Sequence, residues 1–452
     1  MTTATQHGLA PVRRVLDNGA VIIVKESHTT PAVTISAALQ AGSIYECPPV
    51  GGPRLSDAQL GLAYFLSRVI DRGTTHRTAE QIAEELDSRG VSVSVNSTRH
   101  TQVVNCTCLS EDFDFVLTLI GEIVTVPSIP ADQVEKRRAE IVTAIHQDED
   151  NPAVVATERL FALLYPDDHP YGRPAKGTLE TVERIDRHAL ETFHASRFAP
   201  SVLSLAIVGD VAPSRALDAA ANTFGRWQAP VPRPVTLASP PTLGRRQSIV
   251  PMMNKSQADI AYGFTTIARS DPRYNAFTLM NNALGQYSLG GRLGDSIRER
   301  QGMAYYAFST FDGNVIESPL LIRAGVNPAN VDRAIASIDH EIAKIAREGL
   351  SAEELADCKR YLIGSMPRML ETNASIARFL QTAEFFGLGT DYDVRLPGLL
   401  DAVTLDDVNA AAAKLSPEHA ALVVAGPYKS RETDPAAKSL VPHSSFLIPD
   451  QD

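Results

Sequence analysis

The chain has 452 residues, of which 44% are apolar and 21% are charged. This composition is typical of a globular protein of about two to four domains and excludes a disordered or fibrous chain. The 42 Lys and Arg residues are outnumbered by 53 Asp and Glu residues, which gives a net charge of −11. Nucleic-acid-binding proteins usually carry a basic excess or a basic stripe, so we expect no nucleic-acid partner.

The amino-terminal sequence contains no segment typical of a signal peptide. It reads MTTATQHGLAPVRRVLDNG, without an apolar core or a small-residue cleavage site. No stretch of the chain approaches the about 18 uninterrupted apolar residues that a membrane helix needs. The sequence therefore predicts a cytoplasmic protein with no membrane span, while export by a route that needs no such signal stays open.

The cysteines favour free thiols over a disulfide framework or a metal site. There are four, at positions 47, 106, 108 and 358, and their spacing does not match a zinc ribbon. Cys106 and Cys108 lie in a predicted strand from Val103 to Leu109, so both side chains point to the same face. We expect them to be buried as small apolar groups.

In chain order, strand and helix patterns alternate through the first half without a strict βαβα rhythm. A strand over Val21–Val24 follows the turn Asp17-Asn18-Gly19, and apolar alternation predicts a second strand over Val33–Leu39. The further predictions are helices over 60–71, 79–89 and 113–125 and a half-exposed strand over 91–95. This mixture predicts an α+β fold in which helices back a mostly antiparallel sheet in each half.

A proline-rich stretch divides the chain. Five prolines fall between Arg226 and Gln247, and proline is excluded from helix interiors and central strands, so the stretch is predicted to be an extended linker. The predicted organisation is an amino-terminal domain over 1–229, a linker over 230–246, a carboxy-terminal domain over 247–430 and a tail over 431–452.

The two halves show a weak internal repeat. An apolar strand ending at Gly209 and another ending at Gly426 each follow an amphipathic helix, and the two glycines are 217 residues apart. Charged helices containing Lys136 and Lys359 recur at an offset of 223. Two matches in the same order at nearly one offset favour a tandem duplication.

Five segments, in order, resemble the pitrilysin-type or M16 peptidases. GLAYFLSRVIDRGT, at 61–74, resembles the family's zinc-binding segment, approximately G-L-A-H-F-L-E-H-M-x-F-x-G-T. The others are EKRRAEIVTAIHQDEDNP at 135–152, HPYGRPAKGTLETVERI at 169–185, the strand ending Val208-Gly209-Asp210, and GGRLGDSIRERQGMAYYAFS at 290–309. The resemblance covers most of the chain and implies two tandem homologous M16 domains, of the LuxS and mitochondrial processing peptidase type, forming a clamshell-type subunit.

The same resemblance identifies positions where the zinc motif is degenerate. In H-x-x-E-H, two histidines on one helix face bind zinc, the glutamate serves as general base, and a second helix supplies a glutamate ligand. This chain has Tyr64 and Arg68 at the histidine positions, Ser67 at the base and Ala144 at the third ligand. A phenol is a poor ligand at neutral pH and a guanidinium or a methyl group is none, so no catalytic residue and no bound metal are expected.

A second family motif is retained. In active members an Arg and a Tyr in the pattern R-E-x-x-G-x-x-Y hydrogen-bond the substrate backbone from the half that lacks zinc. This chain has Arg298 and Tyr305 at that spacing, with Gly302 between them as a helix stop. A guanidinium and a phenol are suitable donors to a carbonyl that gains negative charge. The resemblance therefore implies that Arg298 and Tyr305 bind a peptide substrate.

Some M16 peptidases are heterodimers in which one subunit carries zinc and the other carries the Arg/Tyr pair. By resemblance, this chain is the second kind: inactive alone, with zinc present only in an H-x-x-E-H partner. A structural subunit like the core proteins of the bc1 complex, a peptide-binding homodimer and an active peptidase with a relocated metal site stay open as alternatives. The acidic net charge would favour basic or mixed peptides, although net charge does not describe the chamber wall.

Overall fold

The computed structural model describes residues 8–46, 59–166, 169–286 and 291–429. Cys47 and the predicted tail over 431–452 lie outside these ranges. The strands are β1 (Val12–Val15), β2 (Val21–Glu26), β3 (Ala32–Leu39), β4 (Val93–Ser97), β5 (Gln102–Leu109), β6 (Leu203–Gly209), β7 (Arg246–Pro251), β8 (Ala258–Thr265), β9 (Ala304–Phe311), β10 (Pro319–Val326) and β11 (Ala421–Gly426).

The helices cover both halves of the chain. They are α1 (Leu62–Val69), α2 (Ala79–Asp87), α3 (Phe113–Thr125), α4 (Ala131–Glu149), α5 (Pro152–Leu164), α6 (Leu179–Arg184), α7 (Arg187–Arg197), α8 (Pro213–Phe224), α9 (Tyr274–Asn281), α10 (Gly291–Leu293), α11 (Val331–Glu348), α12 (Ala352–Met369), α13 (Asn373–Phe385), α14 (Tyr392–Asp401) and α15 (Leu405–Ala412). Two π-helical segments, Asn282–Gln286 and Gly294–Arg300, flank α10. Across the described ranges, no helix is both long and apolar enough to span a membrane.

Each half is built on one sheet, and the two sheets share a strand order. The first runs β1-β2-β6-β3-β5-β4 and the second β7-β11-β8-β10-β9. In each, one parallel pair (β2 with β6, β7 with β11) is followed by antiparallel neighbours. When β1 is left out, each strand of the first sheet has an equivalent at the same place in the second sheet. The α+β class with mostly antiparallel sheets is therefore confirmed, and the equivalence supports the duplication.

Alternation along the strands separates a core face from an inner polar face. On β5, alternate residues pack with α1 and α3 in the core of the first half, and Cys106 and Cys108 are among them, only 3% and 4% exposed. Both are free thiols whose pKa burial raises to about 12, so they are unreactive at neutral pH. The prediction that they share one buried face is confirmed.

The segment between the two sheets is extended. Residues 228–245 form neither helix nor strand, and Val231 within them is strongly exposed. Fixed φ angles and missing N–H donors explain why this proline-rich stretch joins neither sheet. The exact domain limits remain predictions from the sequence.

The halves exchange one helix each. α5, from the first half, packs on β8 and β11 of the second sheet, and α13, from the second half, packs on β3 and β6 of the first. At the first interface, the buried side chains of α5 are Ala156, Leu160 and Leu164, and they pack against Ala261, Leu321 and Val423. At the second, the buried side chains of α13 are Ile376, Ala377 and Leu380, and they pack against Ile23, Ala206 and Val208. Each sheet therefore depends on the other half of the chain to cover its inner face.

Hydrogen bonds fix α13 on the first sheet. The Gln381 side-chain amide donates to the carbonyl oxygens of Ser36 (2.7 Å) and Ser204 (2.8 Å), on β3 and β6. The Asn373 amide donates to the Ala32 carbonyl at 3.0 Å. These bonds set the position of α13 along the strands, which matters because α13 forms one wall of a cavity.

We expect the amino-terminal half, residues 1–229, to be unstable when produced alone. Without α13, the apolar side chains of Ile23, Ala206 and Val208 lose their cover, and uncovered apolar surface favours aggregation. Thermal unfolding and light scattering of this fragment, with and without co-expressed residues 230–452, check the expectation. A fragment that alone unfolds cooperatively at the melting temperature of the full chain would show that the helix exchange is dispensable.

Candidate functional site

α1, the helix that resembles the zinc-binding segment, is anchored at its amino end by a buried carboxyl group. Gly61, at φ +93°, precedes the helix, and the backbone N–H groups of Gly61 and Ala63 donate to Glu46 at 3.1 and 2.7 Å. Glu46 is 4% exposed. These bonds satisfy two of the donors that a helix leaves unpaired at its start, so Glu46 holds α1 in place.

Glu46 should make folding stability depend on pH. Burial raises its pKa from 4.5 to about 8, against the opposing effect of the two backbone hydrogen bonds. A carboxyl group whose folded pKa exceeds its unfolded pKa stabilises the fold fully below about pH 4.5, and this contribution is lost as pH rises to about 8. The Glu46→Gln side chain is neutral at every pH and retains a hydrogen-bond acceptor. We therefore expect the variant to lose less stability than the wild type as the pH rises. Melting temperatures of both proteins between pH 5 and 9 measure it; parallel curves would contradict the expectation.

The residues of the degenerate motif lie on α1 and α4, two helices that pack against each other. Tyr64 and Arg68 are half-buried one turn apart on α1, and Ala144 is half-buried on α4, which packs against α1. The Ser67 hydroxyl is buried and donates to the Tyr64 carbonyl at 2.6 Å. Because that hydroxyl is engaged by its own helix and, among the described residues, hydrogen-bonds no basic side chain, Ser67 is not positioned as a nucleophile.

The surroundings of Arg68 are rich in arginine. Arg137 hydrogen-bonds Glu140 on α4 and lowers the pKa of that carboxyl, and Arg68 adds to the effect. Burial raises the pKa of Asp71, opposed by Arg72, Arg137 and Arg68. Fixed guanidinium charge therefore stands beside the degenerate motif on α1.

The residues present do not fit a zinc ion. Neither a phenol, a hydroxyl bound to backbone, a guanidinium nor a methyl group supplies the nitrogen, sulfur or carboxylate donors that zinc prefers. Among the described residues, no three His, Cys, Asp or Glu side chains are grouped to hold a metal. No step of a reaction is assigned to a metal in this chain.

The retained pair lies in the second half. Arg298 is on the π-helical segment Gly294–Arg300, which stops at Gly302 (φ +59°), whose N–H donates to the Arg298 carbonyl at 3.1 Å. The Arg298 guanidinium contacts the adjacent Glu299 at 2.7 Å. Tyr305 is the second residue of β9 and is 73% exposed. The glycine stop is as predicted, whereas the π-helical geometry has no sequence signal.

Within one chain, the pair and the degenerate motif are not brought together. In the part of the chain that the structure describes, no hydrogen bond, ion pair or ring contact joins Arg298 or Tyr305 to Tyr64, Ser67 or Arg68. Tyr305 is directed to solvent at the start of an edge strand. Its exposure leaves it accessible to another molecule.

A cavity of about 1120 Å³ lies between the halves. Its floor is the inner face of the first sheet, where polar side chains form a continuous patch: Thr34, Ser36, Ser94, Asn96, Asn105 and Thr107. Neither the degenerate motif nor Arg298 and Tyr305 are among its lining residues. Asp312, which lines it, lies seven residues along the chain from Tyr305, about 23 Å in extended structure.

Two other walls come from elements that the sequence did not identify as functional. α13 presents Ala374, Arg378, Gln381 and Phe385, which recur at helical spacing. The hairpin between β4 and β5 contributes Arg99 and His100. Only the alternation of Val and Ser over 91–95 signalled in advance that one face of the first sheet would be polar.

Fold and site together define a two-half, peptidase-like protein whose metal donors have been replaced. The chain belongs to the M16 peptidase family: residues 21–178 match the model described as insulinase (peptidase family M16), and residues 184–362 match the peptidase M16 inactive domain.

Relatives and solved structures agree with this family. The chain is 28% identical over 386 residues to an uncharacterized zinc protease of Mycobacterium leprae, covering 83% of this chain and 84% of that protein. It is 22% identical over 395 residues to a non-peptidase homologue of Helicobacter pylori, covering 86% and 87%. The crystal structure of a peptidase M16 inactive domain from Pseudomonas fluorescens superposes with a TM-score of 0.83 at 24% identity, over 94% of this chain and 99% of that one, and shares the fold.

Proposed function

We propose that this chain is a catalytically inactive M16 subunit that binds peptide and completes the active site of a zinc-bearing M16 partner. The observation that carries the proposal is that one family motif is lost while the other is retained. Tyr64, Arg68 and Ala144 replace all three metal ligands, whereas Arg298 and Tyr305 keep the family's substrate-binding pattern.

The exposure of Tyr305 and the weak local pairing of Arg298 support action on another molecule. The exposed phenol of Tyr305 makes no side-chain hydrogen bond with any residue in the described ranges. Among the described residues, the half-buried guanidinium of Arg298 pairs only with the neighbouring, exposed Glu299. Pairs with exposed carboxylates are weak, so exchange for a peptide carbonyl costs little. Both groups are therefore available as donors to a substrate held by a partner.

Isolation of the tagged full-length chain from its native host tests the proposal. We expect an H-x-x-E-H subunit to co-purify, with zinc and peptide hydrolysis in the complex and neither in the chain alone. Added zinc should leave the melting temperature of the isolated chain unchanged. The Arg298→Gln/Tyr305→Phe chain should assemble normally and lower hydrolysis.

Other outcomes would favour the alternatives. A complex whose activity is indifferent to the double substitution would indicate a scaffold subunit. A chain recovered alone or as a homodimer, without zinc or hydrolysis, would contradict the partner and leave peptide binding to be measured directly. Zinc with activity in the isolated chain would overturn the assignment of the degenerate motif.

A further inference from the structure

The charges around the cavity between the halves differ in sign from the net charge of the chain. The charged side chains that line it are two arginines, Arg99 and Arg378, and two carboxylates, Asp312 and Glu384. The electrostatic potential in the cavity depends on which of these charges are already neutralised by another residue of the protein.

Arg378 is an uncompensated cation. It is exposed on the cavity face of α13, one turn before Gln381, which is fixed to the backbone of β3 and β6. In the described ranges, no ion pair or side-chain hydrogen bond engages its guanidinium. α13 therefore holds the backbone of Arg378 firmly while leaving its charge free.

Arg99 has its guanidinium oriented by aromatic rings. The guanidinium carbon lies 4.5 Å from the centre of the Phe161 ring, and Nη1 donates to the Arg173 carbonyl at 3.3 Å. No carboxylate among the described residues is within ion-pair distance of it. Ring stacking and one backbone bond use part of the guanidinium's donor set, and the Glu158 carboxylate acts on its charge from beyond ion-pair distance. Burial lowers the pKa of Arg99, so Arg378 is the more accessible of the two cations.

One of the two acidic side chains that line the cavity is neutralised by an arginine. Glu384 accepts two hydrogen bonds from Arg13, at 2.8 and 2.7 Å, which neutralise it. In the described ranges Asp312 has no ion pair and is the one lining carboxylate that no arginine neutralises, so it stands against two lining arginines. His100 is uncharged at neutral pH because burial and the adjacent Arg99 lower its pKa to about 4. The balance on the cavity wall is positive.

The floor of the cavity is suited to an extended chain. Uncharged hydroxyl and amide groups cross the sheet, since Ser36 on β3 faces Asn105 on β5, which faces Ser94 on β4. Ser36 is only 3% exposed, so the groups open to a ligand are those of β4 and β5, where Ser94 is exposed and Asn105 is half-buried. Such groups both donate and accept, as a peptide backbone requires. The volume of about 1120 Å³ also exceeds what a small-molecule site usually needs.

We propose that this cavity binds an extended peptide segment bearing acidic side chains, with Arg378 and Arg99 pairing with the carboxylates and the polar strand face bonding the backbone. This inference rests on the proposed peptide-binding function and specifies its substrate class. It reverses the preference for basic peptides that the net charge suggests, because the free charges on the cavity wall are cationic.

Binding of three peptides of equal length that differ only in having Glu, Gln or Lys at two central positions tests the inference. Isothermal titration uses the full-length chain, with the Arg378→Gln and Arg99→Gln variants. We expect the Glu peptide to bind about tenfold tighter than the Gln peptide, and more weakly as salt is raised, because a charge-assisted bond is stronger than a neutral one. Arg378→Gln should remove most of that ratio.

Arg347→Gln is the matched control, since it removes the same charge from an exposed helical arginine on α11 that does not line the cavity. Arg378 is exposed, so its replacement keeps the test valid even if Arg99→Gln fails to fold. Equal binding of all three peptides, or equal weakening of the Glu and Gln peptides by Arg378→Gln, would overturn the acidic preference while peptide binding stands. If no peptide binds, the proposed function fails and this inference fails with it.

Discussion

Replacement of Gly209 by alanine is expected to destabilise the protein strongly. Gly209 ends β6 at φ +142°, a conformation that L side chains rarely adopt. A Cβ atom there would lie 2.1 Å from the Ala32 carbonyl oxygen and 2.8 Å from the Val33 Cα, both backbone atoms of the neighbouring strand. The strand cannot retreat, because Gly209 also accepts from Ser27 at 2.9 Å on its other side.

The expected loss is about 4 kcal/mol or more, which is a large share of the about 5–15 kcal/mol that stabilises a typical protein. Gly426, the equivalent residue of the second sheet, has φ +138° and a similar clash with Ala258, so Gly426→Ala should behave alike. Gly364→Ala is the control: it lies exposed within α12, where an added Cβ would meet no atom within 4 Å, and should gain about 0.5–1 kcal/mol. Urea unfolding measures all three; a Gly209→Ala protein within about 1 kcal/mol of the wild type would contradict the strained geometry.

These two glycines also show how far the sequence predicts the fold. Their spacing of 217 residues indicates the duplication. Gly209 ends β6, which pairs in parallel with β2, and Gly426 ends β11, which pairs in parallel with β7. The helix predicted over 113–125 is confirmed at both ends, and the strands predicted in the first half agree within two or three residues. Local periodicity and turn residues suffice for such elements because each is decided by neighbouring residues.

The exchange of α5 and α13 could not be predicted in the same way. An amphipathic pattern predicts that Ile376, Ala377 and Leu380 share a buried face, but it does not say which sheet they cover. Here the partner sheet lies more than 160 residues away in the chain. The cavity could not be predicted for the same reason. Arg378 and Ser36 line one cavity only because α13 packs on the sheet of the other half.

The residues of the candidate site likewise differ in whether the sequence could identify them. Tyr64, Ser67, Arg68, Ala144, Arg298 and Tyr305 could be identified from motif spacing. Glu46 could not, because nothing in its local sequence indicates that a carboxyl group will be buried under the amino end of α1. Long-range contacts that depend on a loop have no periodic signal.

In the complex with a zinc-bearing partner, we expect Arg298→Gln to lower kcat/KM for peptide hydrolysis by about 10²–10³. Loss of one preorganised donor to a developing oxyanion typically has an effect of this size. Tyr305→Phe removes a single hydroxyl and should have a smaller effect in the same direction. Steady-state hydrolysis by the reconstituted complex measures both, with complex formation checked by size-exclusion chromatography.

Arg300→Gln provides a matched control from the same π-helical segment. Arg300 is exposed and paired with Asp295 at 2.9 Å, so its loss removes an equal charge two residues from Arg298 without touching the retained motif. We expect the Arg300→Gln complex to keep wild-type activity, since exposed pairs contribute little. Equal activity of the Arg298→Gln and Arg300→Gln complexes would contradict a substrate-binding role for the pair. A loss confined to Arg298→Gln and Tyr305→Phe would instead require that a chain without metal donors supplies groups to a reaction carried out by its partner.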